Sequence, residues 1–155
     1  MKEKIYKIVA SALGIGFIPK GSGTFGAILA CVGVVGLHAS VGDNAFLYNT
    51  ILLTLSIVGL WIGQKSAAYT EQLWGEDASK IVIDEVVGQW ISLCFIPFSW
   101  RNLLLGLLWF RLYDIFKPFY IRRFEQYPNG WGVMLDDVAA GLWANVSLQI
   151  LILIL

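Results

Sequence analysis

Apolar residues occur along this chain in long runs that are separated by short polar stretches. The first run, residues 5–19, is interrupted by Lys7 and ends at a proline. Five further runs follow it, at residues 25–39, 46–63, 86–100, 103–116 and 138–155. A helix needs about 20 apolar residues to cross a bilayer, so the first run, with a charge inside its 15 residues, predicts an interfacial helix, and the later runs predict spanning helices.

The expected fold is therefore all-α, a polytopic helical membrane protein with about four spanning helices and an N-terminal interfacial helix. Lipid offers no hydrogen bonds to an open backbone, whereas a helix satisfies its own. Runs 86–100 and 103–116 are separated by only a few residues, which predicts antiparallel neighbours. Residues 1–155 predict a single domain rather than two.

Composition agrees with a membrane protein. The chain is 57% hydrophobic and 14% charged, whereas soluble domains carry about 25% charged residues. The net charge is zero and no basic block occurs, so nucleic acid is not an expected partner. The bilayer is the expected environment, and no protein partner is implied. Cys31 and Cys94 both lie in apolar runs and fit neither a disulfide framework nor a metal-finger pattern.

The distribution of cationic residues predicts the orientation. If the N-terminus lies inside and each long run crosses once, only Arg101 falls on the outer side. An excess of Lys and Arg on the cytoplasmic side is the usual bias of membrane proteins. The residues placed inside are Lys2, Lys4, Lys7, Lys20, Lys65, Lys80, Lys117, Arg122 and Arg123.

The same threading brings five of the eleven acidic residues to the cytoplasmic membrane face. They come from three segments that are far apart in sequence: Asp84, Glu85, Asp114, Asp136 and Asp137. This convergence predicts a functional site at that face.

Two of these segments carry an acidic pair followed by a glycine one turn later, at Gly88 and Gly141. Carboxylates at a helix start are often caps that suit the helix dipole. Adjacent carboxylates at a low-dielectric boundary also repel one another, and a divalent cation relieves that repulsion. Both interpretations fit either pair alone. The two pairs together favour metal binding, with the glycines allowing close helix approach.

Two further patterns favour phosphate chemistry. Arg111, Asp114 and Lys117 recur at a spacing of three, so they share one helix face. Ionisable residues in a spanning helix indicate function, although a salt bridge that only holds helices together is the simpler alternative. Gly23 and Thr24 lie in a Gly-rich turn before a helix, which suits an anion. A plain turn into a helix explains that pattern equally well.

The positions of the histidine and the cysteines exclude several phosphatase mechanisms at the cytoplasmic face. His38 is the only histidine and lies near the opposite face, which argues against a histidine nucleophile. Cys94 and Arg101 have the wrong spacing for a cysteine-phosphatase loop and lie on the wrong side. The remaining mechanism is attack by a metal-activated water.

Four motifs in this chain resemble the phosphatidylglycerophosphatase A family in the same order. They are Gly-Thr-Phe-Gly at 23–26, Ile-Asp-Glu-Val-Val-Gly-Gln-Trp at 83–90, Phe-Arg-Leu-Tyr-Asp-Ile-Phe-Lys-Pro at 110–118, and the stretch 129–141 around Leu-Asp-Asp-Val. The resemblance covers nearly the whole chain. Ser22 and Tyr120 stand where the family usually has proline, and Ala27 stands where the family often has serine. These departures concern the phosphate-side loop and leave the acids unchanged.

The resemblance implies Mg²⁺-dependent hydrolysis of phosphatidylglycerophosphate to phosphatidylglycerol and phosphate in the bacterial cytoplasmic membrane, with the site facing the cytoplasm. The five acids correspond to the acidic centre. Asp84, Glu85, Asp136 and Asp137 are the expected metal ligands, and Asp114 would hold metal or orient water. The expected phosphate-binding residues are Gly23, Thr24, Arg111 and Lys117.

A membrane cation transporter is the alternative, because intramembrane carboxylates also mark ion pathways. Transport favours acids distributed through the membrane depth or helices broken at the midplane. Here the acids gather at one face, which favours a hydrolase.

Overall fold

The computed structural model describes residues 2–75 and 78–154, and within these ranges it contains helices and no strands. Six α-helices follow one another, with short 3-10 helices at Ile15–Phe17 and Ile121–Gln126. The helices are α1 (Lys2–Ala10), α2 (Ser22–Val41), α3 (Ala45–Trp74), α4 (Ile83–Leu93), α5 (Trp100–Phe116) and α6 (Trp131–Ile154). The predicted all-α membrane fold is confirmed.

Three helices are long and apolar enough to cross a membrane, namely α2, α3 and α6. The sequence predicted about four spanning helices. The 11 residues of α4 rise only about 16 Å, and the 17-residue α5 carries charges at both ends. The helix α4 is therefore shorter than its apolar run 86–100, and neither α4 nor α5 is among the helices long and apolar enough to span.

Two helices, α3 and α6, extend well beyond their apolar runs. The run 46–63 belongs to α3, whose 30 residues continue to Trp74 and rise about 45 Å, more than the ~30 Å hydrocarbon core. Similarly, α6 begins at Trp131, seven residues before the run that starts at residue 138. Hydropathy reports the stretch that suits lipid, whereas the helix continues into the polar region.

The short helix α4 lies at the centre of the bundle, in contact with α2, α3, α5 and α6. Its glycine makes this packing possible. A Cβ at Gly88 would lie 2.7 Å from the Asp137 backbone oxygen, and one at Gly141 would lie 2.4 Å from the Gly88 oxygen. Any side chain at these two positions would force α4 and α6 apart, so the close approach predicted from the glycines is present.

The outward faces of the long helices carry large exposed apolar side chains, as lipid contact requires, whereas Phe110, Leu52 and Leu148 are fully buried inside. The N-terminal helix α1 packs on the polar end of α3, where the Tyr6 and Tyr69 rings lie 4.9 Å apart. Its interfacial position remains a prediction.

Candidate active site

Four helix ends meet at one end of the bundle, which we call the charged end. The first turns of α2 and α4, the second turn of α6 and the last turns of α5 converge there. Gly23 of α2 shows how closely they meet, because a Cβ at this position would lie 2.0 Å from Glu85 Oε1 and 3.1 Å from Arg111 Nη1. The glycine turn singled out in the sequence therefore borders the acidic residues directly.

Three carboxylates form the centre of this end. Asp84, Glu85 and Asp137 each offer an oxygen, and these oxygens all lie within 4.8 Å of one another. Asp84 Oδ1, Glu85 Oε2 and Asp137 Oδ2 are buried and have no hydrogen-bond partner in the part of the chain that the structure describes. Buried anionic oxygens without partners are costly. Oxygen donors of this kind are the ligands that hard divalent cations prefer, so the three residues could hold a metal ion.

The positions of these acids along their helices differ from those of typical caps. The N-cap of α4 is Val82, which provides no side-chain cap. Asp136 and Asp137 are the sixth and seventh residues of α6 and lie in its second turn, past the cap position. Helix capping therefore does not account for the pair on α6.

The Asp136 side chain contacts a lysine, whereas the Asp137 side chain belongs to the group of three carboxylates. Asp136 Oδ2 accepts a hydrogen bond from Lys117 Nζ at 2.5 Å, and Asp136 Oδ1 accepts one from the Asp137 backbone N–H at 3.0 Å. The sequence grouped Asp136 with the three metal-ligand candidates, whereas in the structure it lies on the lysine side of the centre.

Lys117 follows α5 in a left-handed conformation, with φ 46°, which turns its side chain back toward α6. Its ammonium also donates to Glu125 Oε1 at 2.6 Å. Burial lowers the pKa of this amine, but the hydrogen bonds to Asp136 and Glu125 outweigh burial and raise the pKa above its ordinary value. The amine is therefore held as a cation beside the centre.

Arg111 supplies the second cation. It forms an ion pair with Asp114, and its Nη1 lies 3.8 Å from Glu85 Oε1. Its Nε is buried with no hydrogen-bond partner in the described ranges. Asp114 thus orients Arg111 and does not join the three clustered carboxylates. Thr24 is half-buried in the first turn of α2.

Two residues of this region were missed by sequence reasoning. Glu125 reaches Lys117 from the short 3-10 helix, and its isolated position in a polar loop gave no signal. Gln89 lies one turn beyond Glu85 on α4, is fully buried, and neither of its amide atoms has a partner among the described residues. Its place in an apolar run directly after an acidic motif was the available signal.

The fold and the centre define an integral membrane protein with a buried acidic site that could hold a metal ion, flanked by two cations. Comparison with known sequences identifies the group more closely. The chain belongs to the phosphatidylglycerophosphatase A family, whose sequence profile matches residues 8–152.

Curated relatives align over most of their length. A Haemophilus influenzae phosphatidylglycerophosphatase A is 38% identical over 90% of this chain and 83% of its own. The Escherichia coli protein of the same name is 30% identical, and the alignment covers 88% of this chain and 77% of that protein. A Bacteroides thetaiotaomicron protein provisionally named phosphatidylinositol-3-phosphatase is 34% identical, and the alignment covers 92% of this chain and 91% of that protein. No solved structure is significantly similar to the chain.

Proposed function

We propose that this protein hydrolyses phosphatidylglycerophosphate to phosphatidylglycerol and inorganic phosphate in phospholipid biosynthesis. Membership of the family and the names of two relatives support this substrate. The observation that carries the proposal is the group of three carboxylates beside Arg111 and Lys117, each with one buried oxygen that has no hydrogen-bond partner among the described residues. A site at the end of a membrane bundle suits a substrate whose acyl chains stay in the leaflet while its phosphate projects into water.

Mg²⁺ is the proposed cofactor, and Asp84, Glu85 and Asp137 are the residues that would hold it. Their partnerless oxygens fit such an ion, because without a cation three anionic groups would face one another in a low-dielectric site. When bound, the ion supplies Lewis-acid activation of water and of the phosphoryl group.

The two cations bind the phosphate in this proposal. Charge on the phosphoryl oxygens must be stabilised as the phosphorus–oxygen bond to the glycerol breaks, and preorganised Arg and Lys side chains do this well. Asp114 holds Arg111 in place, while Asp136 and Glu125 hold Lys117. The first backbone N–H groups of α2, at Gly23 and Thr24, have no intrahelical acceptor and can donate to the same oxygens.

Phosphate release by the purified protein in detergent tests this function. We expect turnover of phosphatidylglycerophosphate that a chelator abolishes and Mg²⁺ restores. Full activity in excess chelator would contradict the metal proposal. Faster release from phosphatidylinositol 3-phosphate than from phosphatidylglycerophosphate would reassign the substrate to the one in the Bacteroides relative's name. Nothing in the comparisons supports the transporter alternative.

We also propose that the protein lies in a bacterial cytoplasmic membrane with the charged end facing the cytoplasm. Cysteine labelling tests this orientation, and the native Cys31 and Cys94 are buried, so they contribute little background. Asp43→Cys and Asn129→Cys place exposed thiols at the two ends of the bundle. In intact cells an impermeant thiol reagent should label the first variant and spare the second. The reverse pattern would invert the topology.

A further inference from the structure

A cavity of about 490 Å³ opens beside Asp136 at the charged end. It lies between the polar part of α3, residues 125–129 and the first turns of α6. Its volume falls within the range of small-ligand sites. The side chains that give it chemical character are Glu71, Gln72, Glu125, Asn129 and Asp136.

The walls of this cavity are fixed by specific contacts. The Gly130 backbone N–H donates to Glu71 Oε2 at 3.0 Å, and Gln64 Nε2 donates to the Asn129 backbone oxygen at 2.7 Å. A Cβ at Gly130 would lie 2.5 Å from the Ala68 backbone nitrogen. The loop before α6 is therefore held tightly against α3, and the cavity has a defined shape.

The cavity shares two residues with the surroundings of Lys117 in the proposed phosphate site. Asp136 and Glu125 both line it, and both accept hydrogen bonds from Lys117 Nζ. A group bound in the cavity would consequently lie next to the cation that binds the phosphate.

The lining selects the chemistry of the occupant. Glu71, Glu125 and Asp136 present carboxylates, which repel a phosphate and accept hydrogen bonds from hydroxyl groups. The amides of Gln72 and Asn129 can both donate to and accept from hydroxyls. We infer that the cavity binds the hydroxyl-bearing part of the lipid headgroup that carries the scissile phosphate, with Glu71 and Gln72 as specificity-determining residues. This inference rests on the proposed lipid phosphatase function.

The test compares three lipid phosphate monoesters in mixed detergent micelles with Mg²⁺. Phosphatidylglycerophosphate and phosphatidylinositol 3-phosphate carry the phosphate on a polyol, whereas phosphatidic acid carries it directly on diacylglycerol. The variants are Glu71→Gln, which keeps an oxygen acceptor for the Gly130 N–H, and Gln72→Leu. Glu3→Gln on α1, outside the cavity lining, is the matched control.

We expect both cavity variants to lower kcat/KM for the preferred polyol lipid by about 3–10-fold, mainly through KM, because one hydrogen bond contributes about 0.5–1.5 kcal/mol. Phosphatidic acid hydrolysis should change less than about twofold. Equal losses on polyol lipid and phosphatidic acid would show a structural effect and overturn the inference, as would unchanged kinetics in both variants. Absence of turnover on all three lipids by the wild-type protein would instead overturn the proposed function, and the inference with it.

Discussion

Polar side chains at one end of the bundle bond mainly to the backbone, with Asn102 Oδ1 as a buried exception, whereas carboxylates at the other end keep several buried oxygens without partners among the described residues. At the end formed by residues 38–49 and 94–100, polar side chains complete the backbone. Asn44 and Ser99 cap α3 and α5, Asn49 accepts from the Phe95 N–H at 2.7 Å, and Asn145 donates to the Cys94 oxygen at 2.7 Å. At the charged end, three buried carboxylates keep oxygens with no hydrogen-bond partner among the described residues.

This difference distinguishes polar side chains that stabilise the fold from polar side chains that are available to a ligand. Inside a membrane every open backbone group is costly, so a polar side chain that satisfies one stabilises the fold. A buried polar group without a partner destabilises the fold unless a ligand completes it. Substitutions at the charged end should therefore reduce activity more than stability, and substitutions at the opposite end should do the reverse.

The largest effect is expected from Asp84→Asn and Asp137→Asn. Each removes a charge from the three-carboxylate group and should lower kcat by about 10²–10³-fold or more. The melting temperature without Mg²⁺ should hold or rise, because fewer like charges are close together. Specific activity and a thermal melt of each detergent-solubilised variant measure both effects.

Asp43→Asn, at the exposed opposite end, is the matched control and should leave activity unchanged. Mg²⁺ should raise the melting temperature of the wild type and not of the two centre variants. Near-normal turnover in both would show that these acids are structural.

Lys117→Gln should have the next largest effect, a loss of about 10–100-fold in kcat, since Arg111 still binds the phosphate. Asp136 also loses its counter-ion, so the melting temperature should fall modestly. Steady-state kinetics on phosphatidylglycerophosphate measure the loss, and Lys65→Gln on the exposed face of α3 is the control. A change in melting temperature alone, with kcat retained, would limit Lys117 to a structural ion pair.

Asn145→Leu should lower stability more than activity, the opposite of what we expect for Lys117→Gln. The Asn145 amide donates to the backbone oxygens of Ile91, Ser92 and Cys94, where α4 ends; among these, the Ile91 oxygen also accepts from the Cys94 N–H. Loss of the Asn145 amide should destabilise the protein by about 1–3 kcal/mol. Activity per folded molecule at 25 °C should not change. Denaturant melts and activity measurements check this. A fall in kcat of the folded protein would contradict the distinction between the two ends of the bundle.

Gln89→Leu makes the same type of substitution near the charged end and should have the smallest effect. Because the Gln89 amide is buried and has no hydrogen-bond partner among the described residues, replacing it with an apolar side chain should leave the melting temperature unchanged or raise it slightly. If the amide contacts a ligand or water of the centre, activity should fall about 3–10-fold. Unchanged activity with a higher melting temperature would exclude a functional role for this side chain.

Much of the charged end could be predicted because its signals are local. Acidic pairs with a glycine one turn later indicated that α4 and α6 approach closely, and Gly88 and Gly141 do contact across that interface. The spacing of Arg111, Asp114 and Lys117 predicted one shared helix face. Arg111 and Asp114 do pair on α5, whereas Lys117 lies just past the end of α5 in a left-handed conformation, although all three reach the charged end.

Other features depended on contacts between distant segments. Glu125 pairs with Lys117 only because the left-handed turn after α5 brings the following 3-10 helix back toward α6. Asn145 lies in an apolar run, and its role became visible only where α4 ends against α6. Neither contact leaves a periodic pattern in the sequence.

The sequence by itself determined the membrane environment, the helical class and the end of the bundle at which charge collects, because hydropathy and the need to satisfy the backbone act on each segment separately. The tertiary structure alone decided which acids share a centre. Asp136 and Asp137 are neighbours in sequence, but successive residues on a helix point about 100° apart. The rotation of α6 against α4 therefore directs Asp137 toward Asp84 and Asp136 toward Lys117. That rotation is set by side-chain packing between the helices, which no single segment encodes.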